Sequence, residues 1–150
     1  MPPDATPVHI VKLGGSLLNW PEMPSRLAQL LTTSASQFPL LIVGGGAAAD
    51  IVRSWQQAHG LDDNTAHALA IDAMAMNSQL LTTLLPRTRI VTDHAEANEA
   101  WVTNHWPILD CGTFLAAQEP LQALKLLSLI HISAPTRPRL ISYAVFCLKK

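Results

Sequence analysis

From Val8 to Gln118 the chain alternates short, continuous apolar runs with longer stretches in which apolar residues recur at helical spacing. Val8 to Leu13 is apolar and rich in β-branched residues, and Gly14-Gly15 closes it, which predicts a buried strand. Met23, Leu27, Leu30 and Leu31 then carry a helical period across Pro21 to Ala35, with Pro21 well placed near a helix start. Leu40 to Val43 predicts a second buried strand, cut off by Gly44-Gly45-Gly46. A helix follows over Ala47 to His59, with Asp50 expected in its first turn, where an acid suits the dipole, and Gly60 as its stop. Asp62-Asp63 offers an N-cap to a long alanine- and methionine-rich helix, Asn64 to Leu85, which Pro86 ends. Arg89 to Thr92 predicts a third strand, His94 to Val102 a short helix and Pro107 to Leu109 a fourth strand. Gly112 to Gln118 begins a further helix.

Strands and helices that alternate across short links imply parallel strands joined by right-handed crossovers. The fold class expected is therefore α/β, a three-layer α/β/α arrangement around a mainly parallel sheet. Ligands of such sheets gather at the carboxyl ends of the strands, and both glycine clusters fall there. In the long helix, Met74, Met76, Leu69, Leu80 and Leu84 read as core or as a subunit contact, which points to a homo-oligomer.

Composition narrows the class. A chain of 150 residues with 49% hydrophobic and 14% charged residues fits one domain with a real core. Cys111 and Cys147 suggest no disulfide framework, so a reducing cytoplasm is expected. Asp4 interrupts Met1 to Pro7, against a secretory signal. The apolar stretches Leu124 to Ile132 and Leu140 to Leu148 fall short of the ~20 residues of a membrane span, so no membrane partner is expected. Charge is uneven: Met1 to Glu119 carries five Lys/Arg against eleven Asp/Glu, a net −6, whereas Pro120 to Lys150 carries five Lys/Arg and no acid, a net +5. A basic tail on an acidic body suits a nucleic-acid or membrane contact, or two unrelated sequences joined together.

Two segments hold candidate chemistry. In Lys12-Leu13-Gly14-Gly15-Ser16, glycines at a strand exit let the backbone turn tightly and aim several N–H groups at one point. With the Ser16 hydroxyl and the Lys12 ammonium they would form a pocket for phosphate oxygens; a plain strand-ending turn has the same glycines. Gly44-Gly45-Gly46 runs straight into a helix, leaving unpaired amides at the positive end of its dipole. A close strand–helix crossing that excludes Cβ atoms would also select these glycines. Two such loops after successive strands, the first with a lysine, favour a phosphoryl site over packing alone. No P-loop, dinucleotide fingerprint or serine elbow is present. The six histidines lack metal-ligand spacing, so no metal site is expected from the chain itself. His67 and the four tryptophans read as structural, with Trp20 near enough to border the first loop. Asp93 and Asp110 each close a strand, where they cap the next helix or face a ligand.

Val-Lys-Leu-Gly-Gly-Ser at Val11 to Ser16, followed by Leu-Ile-Val-Gly-Gly-Gly at Leu41 to Gly46, resembles the amino-acid-kinase superfamily of aspartate, glutamate, acetylglutamate and uridylate kinases. Gly-Gly-Gly-Ala-Ala-Ala-Asp at Gly44 to Asp50, His-Gly-Leu at His59 to Leu61 and Trp-Pro-Ile-Leu-Asp at Trp106 to Asp110 are similar to its small branch linked to methanofuran and tetrahydromethanopterin metabolism, whose members phosphorylate an aminomethylfuran phosphate. The resemblance spans Val8 to Glu119. It implies the carbamate-kinase-like fold, ATP and Mg²⁺ as cofactors, and a small anionic acceptor, either a phosphate monoester or a carboxylate. It also implies that Lys12, Gly14, Gly15 and Ser16 hold the transferred phosphoryl group, with Lys12 catalytic, and that Gly44, Gly45 and Gly46 hold the acceptor. A non-catalytic nucleotide or oxyanion binder of the same fold is the alternative.

The family's nucleotide-binding half, with its aspartate-bearing segment, has no counterpart after Glu119. Leu127 to Lys150 instead resembles translated sequencing-adaptor read-through. The expectation is a truncated kinase domain over residues 1–125 that is inactive alone, followed by a non-native basic tail over residues 126–150. No function is drawn from Arg137, Arg139, Lys149 or Lys150, and no nucleic-acid partner is expected.

Overall fold

A computed structural model describes residues 8–34, 38–117 and 142–144. The elements run β1 (His9–Leu13), a 3-10 turn (Gly15–Asn19), α1 (Met23–Thr33), β2 (Pro39–Val43), α2 (Gly46–His59), α3 (Asp63–Leu84), β3 (Thr88–Val91), α4 (His94–Val102), β4 (Trp106–Leu109), α5 (Cys111–Ala117) and β5 (Ser142–Ala144). The sheet order is β3-β4-β2-β1-β5, and every pairing is parallel. The α/β class read from the alternation of elements is the one observed.

Alternation along the strands explains why helices cover both faces, since successive side chains point to opposite sides. Val11, Leu13, Leu41, Val43 and Ile108 enter one buried cluster with Met23, Leu27 and Leu31 of α1. Ile42 and Leu109, with Ile10 and Leu40 beside them, form a second with Cys111 and Phe114 of α5. A third, Val91 with Ala97 and Ala100, seats α4. The long helix α3 feeds two of these: Met74 joins the α5 cluster, whereas Leu81 and the C-cap residue Leu85 join the α1 cluster. Between those contacts lie the buried polar residues Asn77 and Ser78. On its other side Met76, Leu80 and Leu84 are exposed, so of the apolar set expected as core or as a subunit contact only part enters the core. Among the described residues no helix is long and apolar enough to cross a membrane.

Local chemistry sets the boundaries. Gly60 ends α2 in the left-handed conformation, φ 62°, where the absence of Cβ removes the usual penalty. Asp62 caps α3, accepting from the Thr65 N–H and hydroxyl at 2.8 Å each, and these bonds hold its carboxyl below the usual range. Asp93 caps α4 by accepting from the Glu96 N–H at 2.9 Å. Asp110 accepts from the Gly112 N–H and the Thr113 hydroxyl at 3.1 and 2.8 Å, so both strand-closing aspartates cap the following helix.

Three details differ from expectation. α2 begins one residue early, at Gly46, so its first turn contains no acid; Asp50 is exposed and pairs with Arg53 instead. β3 starts at Thr88, whose hydroxyl donates to the Leu85 carbonyl at 2.6 Å and draws the residue inward. A 3-10 turn after Gly14, Gly15–Asn19, is not among the elements that the hydrophobic pattern predicts. The expected boundary between residues 125 and 126 and the residues Arg137, Arg139, Cys147, Lys149 and Lys150 lie outside the described residues; within the expected tail, Ser142–Ala144 forms β5 beside β1.

Candidate functional site

The site is a consequence of register. β1 and β2 are neighbours and end level, with Leu13 opposite Val43. The Gly44 amide donates to the Leu13 carbonyl at 2.8 Å, closing the ladder as both chains turn away. Gly14-Gly15-Ser16 and Gly44-Gly45-Gly46 therefore leave the sheet side by side at the carboxyl ends of two adjacent parallel strands.

The two loops touch through their backbones. A Cβ placed on Gly15 would lie 2.5 Å from the Gly44 carbonyl oxygen and 2.8 Å from the Gly45 carbonyl carbon. A Cβ on Gly46 would lie 2.7 Å from the Ser16 nitrogen, and Gly46 also has a φ of 50°. Both positions demand glycine on steric grounds. Gly14 differs: it is exposed, its φ of −62° is ordinary, and a Cβ there would meet only the Ser16 hydroxyl at 4.0 Å. Fold geometry thus accounts for Gly15 and Gly46 but leaves room for a side chain at Gly14.

After the turn, Leu17, Leu18 and Trp20 pack against the α1 cluster and anchor the far end of the first loop. Trp20 therefore serves the core. Lys12 alternates with Val11 and Leu13, so it shares the sheet face of Ile10 and Ile42 and is half-buried beside the loop. Ser16 is exposed. The second loop opens into the first turn of α2, whose leading amides carry the positive end of the helix dipole. All seven residues expected at the site, Lys12, Gly14, Gly15, Ser16, Gly44, Gly45 and Gly46, thus fall at one end of one pair of strands.

One further residue belongs to this place. Asn77 of α3 is 8% exposed, and its Nδ2 donates to the Gly44 carbonyl at 2.8 Å and to the Gly45 carbonyl at 2.9 Å. The apolar stripe of α3 runs through Ala66, Ala73, Met74 and Leu81; helical spacing puts Asn77 on it, and a polar residue on a buried stripe was the readable signal.

The mainly parallel α/β fold that brings the two glycine loops together is shared with a solved kinase structure. A solved structure similar to the chain is that of uridylate kinase from Archaeoglobus fulgidus, with a TM-score of 0.53 and 21% sequence identity over 68% of this chain and 49% of that one. The likeness is one of fold, and the chain spans about half the length of that enzyme. No protein-family model and no curated protein sequence matches the chain.

Proposed function

We propose that this chain carries the phosphate loop and acceptor side of an ATP-dependent small-molecule kinase. The observation that carries the reading is the backbone contact between the two glycine loops, which makes one bare-backbone cradle from two strand ends. Transfer of a phosphoryl group demands in-line positioning and neutralisation of spreading charge rather than covalent help from the protein. Amides and a cation fixed in advance are suited to that task.

In this reading Lys12, Gly14, Gly15 and Ser16 hold the phosphate of ATP that is transferred. Gly44, Gly45 and Gly46 receive the acceptor, a small anion already able to attack and so in no need of a general base. Phosphate monoesters, of which an aminomethylfuran phosphate is the resemblance-based candidate, and carboxylates both fit a loop without side chains. Methanofuran biosynthesis, in the cytoplasm, is the matching context. Among the described residues no group of three His, Cys, Asp or Glu side chains could hold a metal ion; in this reading Mg²⁺ comes with the nucleotide phosphates.

The second reading is binding of nucleotide or oxyanion by the same fold without turnover. Assays of phosphoryl transfer from ATP·Mg²⁺ to phosphate monoesters and carboxylates separate the two. The kinase reading expects turnover from a product extended by the nucleotide-binding half, lowered roughly 10²- to 10³-fold by Lys12→Ala. It expects none from the 150-residue chain. Saturable ATP binding by both products without phosphoryl transfer would establish the binder instead.

A further inference from the structure

We infer that Asn77 is the positioning residue of the second glycine loop, turning the amides of Gly45 and Gly46 outward to meet an anion. The anion's role rests on the phosphoryl reading above, whereas the orientation of the loop rests on geometry alone.

A trans peptide carries its C=O and the following N–H on opposite sides, and none of the described peptide bonds is cis. The Nδ2 of Asn77 draws the carbonyls of Gly44 and Gly45 toward α3. The N–H of Gly45 belongs to the first of those peptides and the N–H of Gly46 to the second. Both must therefore point away from α3. Among the described residues neither amide donates to a protein acceptor. Glycine has no Cβ to bias these peptide planes, so an external restraint has to choose their orientation. One side-chain amide does so, from a residue more than thirty positions away in sequence. It also satisfies two carbonyl dipoles whose negative ends would otherwise be free to swing toward a bound anion. Buried polar side chains need partners, and Asn77 finds them in the loop that most needs orienting.

The geometric part is read in the ¹⁵N,¹³C-labelled wild-type chain by scalar coupling across the hydrogen bonds from Asn77 Nδ2 to the carbonyl carbons of Gly44 and Gly45. The functional part is read by titrating wild type, Asn77→Asp, Asn77→Ala and Asn77→Gln with pyrophosphate while following the amides of Gly45 and Gly46. We expect both couplings in wild type and saturable amide shifts. Asn77→Asp, similar in shape but lacking the donor, should bind at least tenfold more weakly, as should Asn77→Ala. Asn77→Gln, which keeps the donor, should recover part of the loss even where its melting temperature is lower than that of Asn77→Asp. A merely structural tie would instead make affinity follow melting temperature across the series, which overturns the inference. Missing couplings in folded wild-type protein overturn it before any ligand is added. Wild-type amides that ignore pyrophosphate overturn the phosphoryl reading, and with it the role given to Asn77. Wild-type and variant amides that respond equally overturn the inference about Asn77 alone.

Discussion

At the residue scale, the glycines divide by what each position excludes. Gly15 is hemmed in by backbone of the opposite loop, whereas Gly14 faces open space. Gly15→Ala should lose about 3 kcal/mol, because the atoms it would strike are main chain and cannot rotate aside. Gly14→Ala should melt within a few degrees of wild type yet bind pyrophosphate more weakly, since in the proposed phosphoryl reading its new methyl group would stand where the anion meets bare backbone. Thermal melts and an anion titration of both variants check this, and equal stability losses would mean that the contact between the loops is not what selects Gly15. That glycines at these positions matter was legible in the sequence. Which of them serve the fold was not, because steric demand depends on the neighbouring strand.

At the element scale, helix ends were the most readable feature. Asp93 sits before an Ala- and Glu-rich segment, and its carboxylate accepts from the Glu96 N–H. The Glu96 side chain reaches back to accept from the Thr92 N–H and hydroxyl at 2.7 and 2.9 Å, a reciprocal arrangement akin to a capping box. Asp93→Ala should therefore destabilise the protein by about 1 kcal/mol in urea unfolding, and Asp93→Asn by less, since the amide oxygen can still accept. Caps are legible because every partner lies within four residues. The start of α2 was less so: with glycine at three successive positions, side chains supply no boundary, and tertiary contact with Ser16 and Gly15 decides where the helix begins.

At the scale of the whole molecule, α5 closes one face of the sheet through Cys111, and that burial has a consequence for stability. Burial pushes the Cys111 thiol up to about 11, with the nearby Asp110 charge adding to the effect. A raised pKa means the folded state holds its proton after the unfolded chain has lost it. The stabilisation is thus complete below the ordinary thiol value of 9.0 and disappears as pH climbs to about 11. Urea unfolding between pH 8 and pH 11 should show a loss of roughly 2 kcal/mol in wild type beyond that seen in Cys111→Ala. Parallel pH profiles for the two proteins would remove Cys111 as the cause.

Patterns carried by neighbouring residues were determined by the sequence itself: the order of strands and helices, the caps at Asp62 and Asp93, the stop at Gly60 and the two glycine loops. Hydrogen bonds and packing periods within a few residues do not wait for the rest of the chain. The resemblance at Val11 to Ser16 and Leu41 to Gly46 likewise pointed to the fold because those motifs are contiguous. Tertiary structure alone decided that β1 and β2 end level with Leu13 opposite Val43, which turns two loops into one cradle. It alone brought Asn77 to Gly44 and Gly45. That meeting depends on how α3 is laid down between Met74 in one cluster and Leu81 in another, and such packing is a property of the assembled core rather than of any local segment.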